Sequence, residues 1–138
     1  MAIPTKSMTL KSLALQFALG AGAAQAGALD PTLSVFLAKF ADMARRGAAD
    51  SMADVTRFPL KNAVYQEPTA ISRAGFKHHF QLNSYPTLAG CLKTKRPERA
   101  ASGNAGLGEW VVDCDGNAFY FANVGGQWRH SGFENVNE

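Results

Sequence analysis

The stretch that most constrains this chain is its last third, residues 108–138, GEWVVDCDGNAFYFANVGGQWRHSGFENVNE. Asp115-Gly116 and Gly125-Gly126 divide it into three short runs rich in Val, Trp, Phe and Tyr, the pattern of antiparallel strands joined by two-residue hairpin turns. Strands are expected at 109–114, 117–123 and 127–133. Alternation puts Trp110, Val112, Phe119, Phe121, Trp128 and His130 on one face, and Tyr120 and Phe133 on the other. A face so apolar needs a covering layer, which the residues upstream must supply.

Helical patterning upstream fits that role. Asp30-Pro31 reads as an N-cap followed by proline at the first helical position, and Leu33, Phe36, Leu37, Phe40 and Met43 then form one apolar stripe. Arg45-Arg46-Gly47 suits the end of that helix: cations meet the negative end of the dipole, and glycine accepts the left-handed cap. A shorter helix is expected at about 48–56, ending before Phe58 because the residue preceding Pro59 is pushed out of helical space. Residues 60–65 alternate weakly and read as an edge strand with Pro59 at its start, and Glu67-Pro68-Thr69 breaks it. A third helix carrying Ile71, Phe76 and Phe80 is expected to stop before Asn83-Ser84-Tyr85-Pro86; a strand follows at 88–95, then a mobile Gly- and Ala-rich loop at 97–108. Helices first and strands afterwards make an α+β plan.

Lys6 and Lys11 precede or open an uncharged run at 12–24, and Ala24-Gln25-Ala26 supplies a small-x-small ending, the layout of a secretory signal peptide cleaved after Ala26. An anchor would need about 20 apolar residues, and Gln16, Gly20 and Gly22 weigh against one, so no stable membrane insertion is expected after cleavage. Residues 27–138 then form one domain, and loss of the two lysines lowers the formal net charge from +3 to +1. The full-chain pI of 9.0 is thus poor support for a nucleic-acid partner, and none is expected. Lys93, Lys95, Arg96 and Arg99 read as a solvated edge. The two cysteines, Cys91 and Cys114, suggest one disulfide in an oxidising, secreted or periplasmic setting. Pairing them across neighbouring strands would set Lys95 opposite Trp110, while a one-residue slip would move the lysines to the other face, so the register stays open.

Taken together, the stripe from Leu33 to Met43, the Arg46-Gly47 break, Phe58-Pro59-Leu60, Ile71 with Phe76, and the ending from Gly126-Gln127-Trp128-Arg129 through Gly132 resemble the NTF2-like, or cystatin-like, superfamily. The resemblance covers nearly all of residues 27–138 and implies a curved sheet wrapped around a long helix to form a cone. That cone hosts isomerases, dehydratases, polyketide cyclases and toxin-neutralising partners, so fold alone does not select a function. Sheet-to-sheet homodimers are consistent with it.

No motif fixes a reaction. The enzymes of that superfamily place an Asp or an Asp-His pair in the cone, whereas Asp113 alternates with Trp110, Val112 and Cys114 so as to face outward, and Asp115 belongs to a turn. Asp113-Cys114-Asp115-Gly116-Asn117 lacks the glycine and glutamate spacing of a calcium loop. His78 and His79 are separated by about 100° on a helix and cannot chelate one metal together, and no serine nucleophile elbow or phosphate-binding glycine loop is present. No metal or cofactor is therefore expected. His130 shares the face of Trp128, where it is either a satisfied core histidine or a polar handle on a cone wall. The expectation drawn is a non-catalytic binding domain that holds a small apolar ligand, or a protein partner across the sheet. His130, His79, Trp128, Phe121 and Phe40 are the candidate ligand contacts.

Overall fold

The computed structural model describes residues 30–104 and 106–135, and those from Pro31 onward belong to one compact unit. The expected signal segment, 1–26, lies outside the described residues. Helix α1 spans Pro31–Arg45 and buries Leu33, Leu37, Phe40, Ala41 and Ala44, while Phe36 and Met43 flank the stripe half-buried. Full burial of the Leu and Phe side chains contributes roughly 1.5–3 kcal/mol each. The helix ends as its sequence dictates. Gly47 turns left-handed at φ 71°, its N–H donates to Ala44 O, and Ala48 N–H donates to Met43 O, which satisfies two terminal carbonyls. Asp42 gathers both Arg45 and Arg46, at 2.6 and 2.8 Å, and those bonds hold its carboxyl below the usual range.

Helix α2, Ala49–Asp54, is shorter than expected, because Thr56 already belongs to strand β1, Thr56–Ala63. β1 is followed by the two-residue β2, Ala70–Ile71, then helix α3, Phe76–Leu82, a 3₁₀ turn at Tyr85–Thr87 and a one-turn helix α4, Leu88–Cys91. β3, Glu98–Arg99, precedes the three strands of the C-terminal third: β4, Trp110–Cys114; β5, Asn117–Val124; and β6, Gln127–Asn135. Together they build a six-stranded sheet in the order β2-β1-β6-β5-β4-β3, with helices packed against it. Both C-terminal hairpin turns have positive φ at their two central residues, Asp115 with Gly116 and Gly125 with Gly126, as tight two-residue connections require.

Several expectations are corrected. β1 is interior, not an edge: it lies between β2 and β6 and runs parallel to β6. Pro59, which has no N–H to donate, falls where that ladder is interrupted between Thr56 and Lys61. Ile71 is not helical but sits in β2 opposite Leu60. Residues 88–95 form no strand; Leu88–Cys91 is helical, and the partner of β4 is β3, which sets Arg99 opposite Trp110 and stacks its guanidinium over the indole at 5.2 Å. The disulfide nevertheless forms. Cys91 at the end of α4 joins Cys114 at the end of β4 across a Cα–Cα distance of 5.8 Å. A helix end can reach a strand end without any shared register, which is why pairing and register separate here.

Part of the outer face is covered as well. On β6, Phe121 pairs with His130 but Tyr120 pairs with Gly132, so Ser131 is an extra residue, a β-bulge. The bulge reverses alternation beyond it. Phe133, expected on the outer face, is fully buried and packs against Tyr85, His79 and Phe119. The expected loop at 97–108 carries β3 and a 3₁₀ turn at Ser102–Asn104, and it packs onto the outer face of the bulge. Ser131 Oγ donates to Leu107 O at 2.8 Å, and Gly132 is needed beneath, since a Cβ there would lie 2.4 Å from that same oxygen. Tyr120, on the outer face as alternation places it, is buried under this segment: Asn104 donates to its hydroxyl and the hydroxyl donates to Glu134, both at 3.0 Å. Burial, with Glu134 beside it, pushes that phenol up to about 12.

Candidate functional site

A chain of buried polar side chains runs through the layer between the helices and the sheet. α3 turns His79 inward beside Phe76 and Phe80 and leaves its neighbour His78 exposed, the separation that helical geometry imposes on adjacent residues. After α3, Ser84 adopts the left-handed region at φ 57° and delivers Tyr85 into the core, where it is fully buried. From β6 comes His130, also fully buried. Tyr85 Oη bridges the two imidazoles, 2.8 Å from His79 Nε2 and 2.5 Å from His130 Nε2.

The outer partners of the two rings determine where each proton sits. His130 Nδ1 lies 2.9 Å from the carbonyl of Tyr120, an acceptor only, so Nδ1 carries the hydrogen and Nε2 accepts from the Tyr85 hydroxyl. Tyr85 oxygen must then accept from His79 Nε2–H, which leaves His79 Nδ1 to accept from Asn83 Nδ2 at 3.1 Å. Each link is satisfied with both rings neutral. Burial favours the same state: it depresses His79 to about 4, against an opposing pull from Glu67, and depresses His130 to about 3, against the Tyr120 carbonyl. Burial also raises the Tyr85 phenol well above its ordinary value.

The five expected ligand contacts are distributed unevenly. Phe40, Phe121 and His130 come together in the interior: Phe40 meets Phe121 edge-on at 5.4 Å, and His130 lies 5.2 Å from Phe40 and 5.4 Å from Phe121. Rings occupy the space around His130, and both of its nitrogens are engaged. Trp128 is half-buried at the near end of β6 and donates through Nε1 to Thr32 Oγ1 at 2.9 Å. His79 lines an open cleft.

That cleft, about 360 Å³, lies between the β1–β2 turn and α3. Pro68, Ile71 and the half-exposed Leu82 form its apolar walls, with Glu67, His78 and His79 as titratable groups and, among the described residues, no Lys or Arg in the lining. Glu67 is held in place by its surroundings. Gln66 takes the left-handed region at φ 64°, Glu67 N–H donates to Val64 O, and Oε1 accepts from Asn62 Nδ2 at 3.2 Å and, more loosely, Asn83 Nδ2 at 3.5 Å. Oε1 is also 4.0 Å from His79 Nδ1, which is no ion pair while that ring is neutral.

Sequence reasoning overlooked Glu67, Asn62, Asn83 and Tyr85. Glu67 and Tyr85 read there as parts of strand- and helix-ending segments. Asn62 did carry a signal, because it alternates with Leu60 and Val64, and a polar residue on an apolar face is one that needs partners. Asp113, by contrast, faces solvent as alternation indicates, and its Oδ1 accepts the N–H of Gly116 in the hairpin turn.

Fold and site together define a disulfide-bonded α+β domain, a six-stranded mixed sheet with helices against it and a Glu-headed cleft leading to a buried His–Tyr–His chain. Compared with family models, with curated proteins and with solved structures, the chain shows no match to any. Among the described residues no helix is long and apolar enough to cross a membrane.

Proposed function

We propose that this chain is an exported binding domain of NTF2-like architecture that holds a small, mostly apolar ligand in the cleft beside Glu67 and His79. The sheet order, with β1 parallel to β6 and α1 laid on Phe121 through Phe40, supports the cone architecture. Export is supported by the segment at 1–26 together with the Cys91–Cys114 bond, which suits an oxidising compartment. The observation that carries the binding reading is the cleft itself: apolar walls, few polar groups, and a volume within the lower part of the range of small-molecule sites. Relative to the expectation of a ligand deep in the cone, the site moves outward to its rim, because aromatic rings take the interior around His130. An isomerase or dehydratase that moved its proton through His79 or His130 would need a free ring nitrogen facing substrate, and both imidazoles have theirs engaged within the fold.

Native mass spectrometry of the protein recovered from its producing cell tests this reading. A small-molecule adduct is expected on the wild type and not on Leu82→Arg, whose long cationic side chain occupies the cleft and competes for Glu67. An adduct that survives Leu82→Arg, or a second polypeptide in place of any small molecule, overturns it.

A further inference from the structure

We propose that the cleft selects a ligand headed by a protonated amine or amidinium, whose N–H groups bond the Glu67 carboxylate while its apolar body lies along Pro68, Ile71 and Leu82. This rests on the reading of the cleft as a ligand site and adds the chemistry of its occupant.

Charge is the first argument. Among the described residues Glu67 is the only carboxylate in the lining, no Lys or Arg accompanies it, and its side chain is just 21% exposed. Arg73, close by in sequence, is turned away to Asp54 and the carbonyl of Ala53. An anionic ligand would meet uncompensated repulsion there, whereas a cation would meet a partner whose field is poorly screened by water.

Hydrogen-bond capacity is the second argument. An ionised carboxylate offers about four acceptor positions. Glu67 fills its described share through Oε1 alone, from the amides of Asn62 and Asn83, and among the described residues none donates to Oε2. The nearest imidazole cannot supply the missing donor, because His79 gives its one N–H to Tyr85 and turns its bare Nδ1 toward Asn83. Oε2 is thus left for a donor on the ligand, which would replace water there. Because the two amides and the turn already orient the carboxylate, binding needs little rearrangement of the protein.

The test uses three probes that share one apolar body: benzylammonium, benzyl alcohol and benzoate, titrated into the disulfide-bonded protein and followed by ¹H–¹⁵N NMR. Benzylammonium is expected to shift the amides of Glu67, Ile71 and Leu82 and to bind about 10- to 100-fold more tightly than the alcohol, the worth of a charge-assisted hydrogen bond. Glu67→Gln keeps an acceptor for Asn62 and Asn83 and should abolish that preference. Should Glu67→Gln fail to fold, the wild type still decides, since added salt should weaken benzylammonium and leave benzyl alcohol unchanged. Equal binding of all three probes at the cleft, or a preference for benzoate, refutes the amine and leaves the cleft as a ligand site. No shift at those amides with any probe refutes both.

Discussion

Tyr85→Phe is the sharpest perturbation of the interior, since it removes one oxygen and nothing else. The ring would keep its stacking on Phe133 and its edge contacts with Phe76 and Phe119, so packing should change little. The lost hydroxyl is the donor to His130 Nε2 and the acceptor for His79 Nε2–H, and both histidines are buried, at 0% and 2% exposure. Leaving a buried polar group without its partner costs about 1–3 kcal/mol. Two such groups give a loss of roughly 2–4 kcal/mol, allowing that the imidazoles shift slightly to relieve one another. Urea denaturation at pH 7, followed by fluorescence of Trp110 and Trp128, should show a lower midpoint with an unchanged slope. His130→Phe should also destabilise, because it strands the Tyr85 hydroxyl and the Tyr120 carbonyl, and the double variant should lose less than the sum of the two. A Tyr85→Phe loss below about 0.5 kcal/mol would mean that the hydroxyl does not bridge two buried rings, and the proton assignment would fall with it.

Acid should destabilise the protein in a window set by the same two histidines. Unfolded, they bind protons below about 6.5; folded, burial delays this to about 4 for His79 and about 3 for His130. Between those values the unfolded state holds more protons, so stability should fall as pH drops from about 6.5, by several kcal/mol near pH 4; urea midpoints across that range check it, and a flat profile from pH 7 to 4.5 would refute neutral burial. Reduction of Cys91–Cys114 should cost on the order of 3 kcal/mol, from the entropy of opening its loop. Thiol titration of unfolded, unreduced protein should find no free thiol, and two would disprove the bond. N-terminal sequencing of protein from the producing cell should begin near Gly27; an intact Met1 chain from the cytoplasm would refute export.

Local order in this protein is written locally. The stripe Leu33, Leu37, Phe40 and the Gly47 cap of α1 need only a helical period and one left-handed residue, and the hairpins at Asp115-Gly116 and Gly125-Gly126 need only two positive φ values between β-rich runs. The α+β class and the Cys91–Cys114 pairing were legible from those signals and from an even cysteine count. What tertiary structure decided were choices that alternation cannot express. The parallel pairing of β1 with β6 joins segments far apart in sequence, and the two-residue strands β2 and β3 are too short to show any period. One extra residue, Ser131, turned Phe133 from the outer face to the inner. The site depended most on such choices. Tyr85 and Glu67 lie in connecting segments, where no periodicity marks a direction, and each owes its place to partners from other elements: His130 on β6 for Tyr85, and Asn62 on β1 with Asn83 beyond α3 for Glu67. The bonds Tyr85–His130 and Asn83–Glu67 join residues 45 and 16 apart in sequence and leave no spacing to read, so the polar chain and the cleft at its end became visible only once the fold had brought their members together.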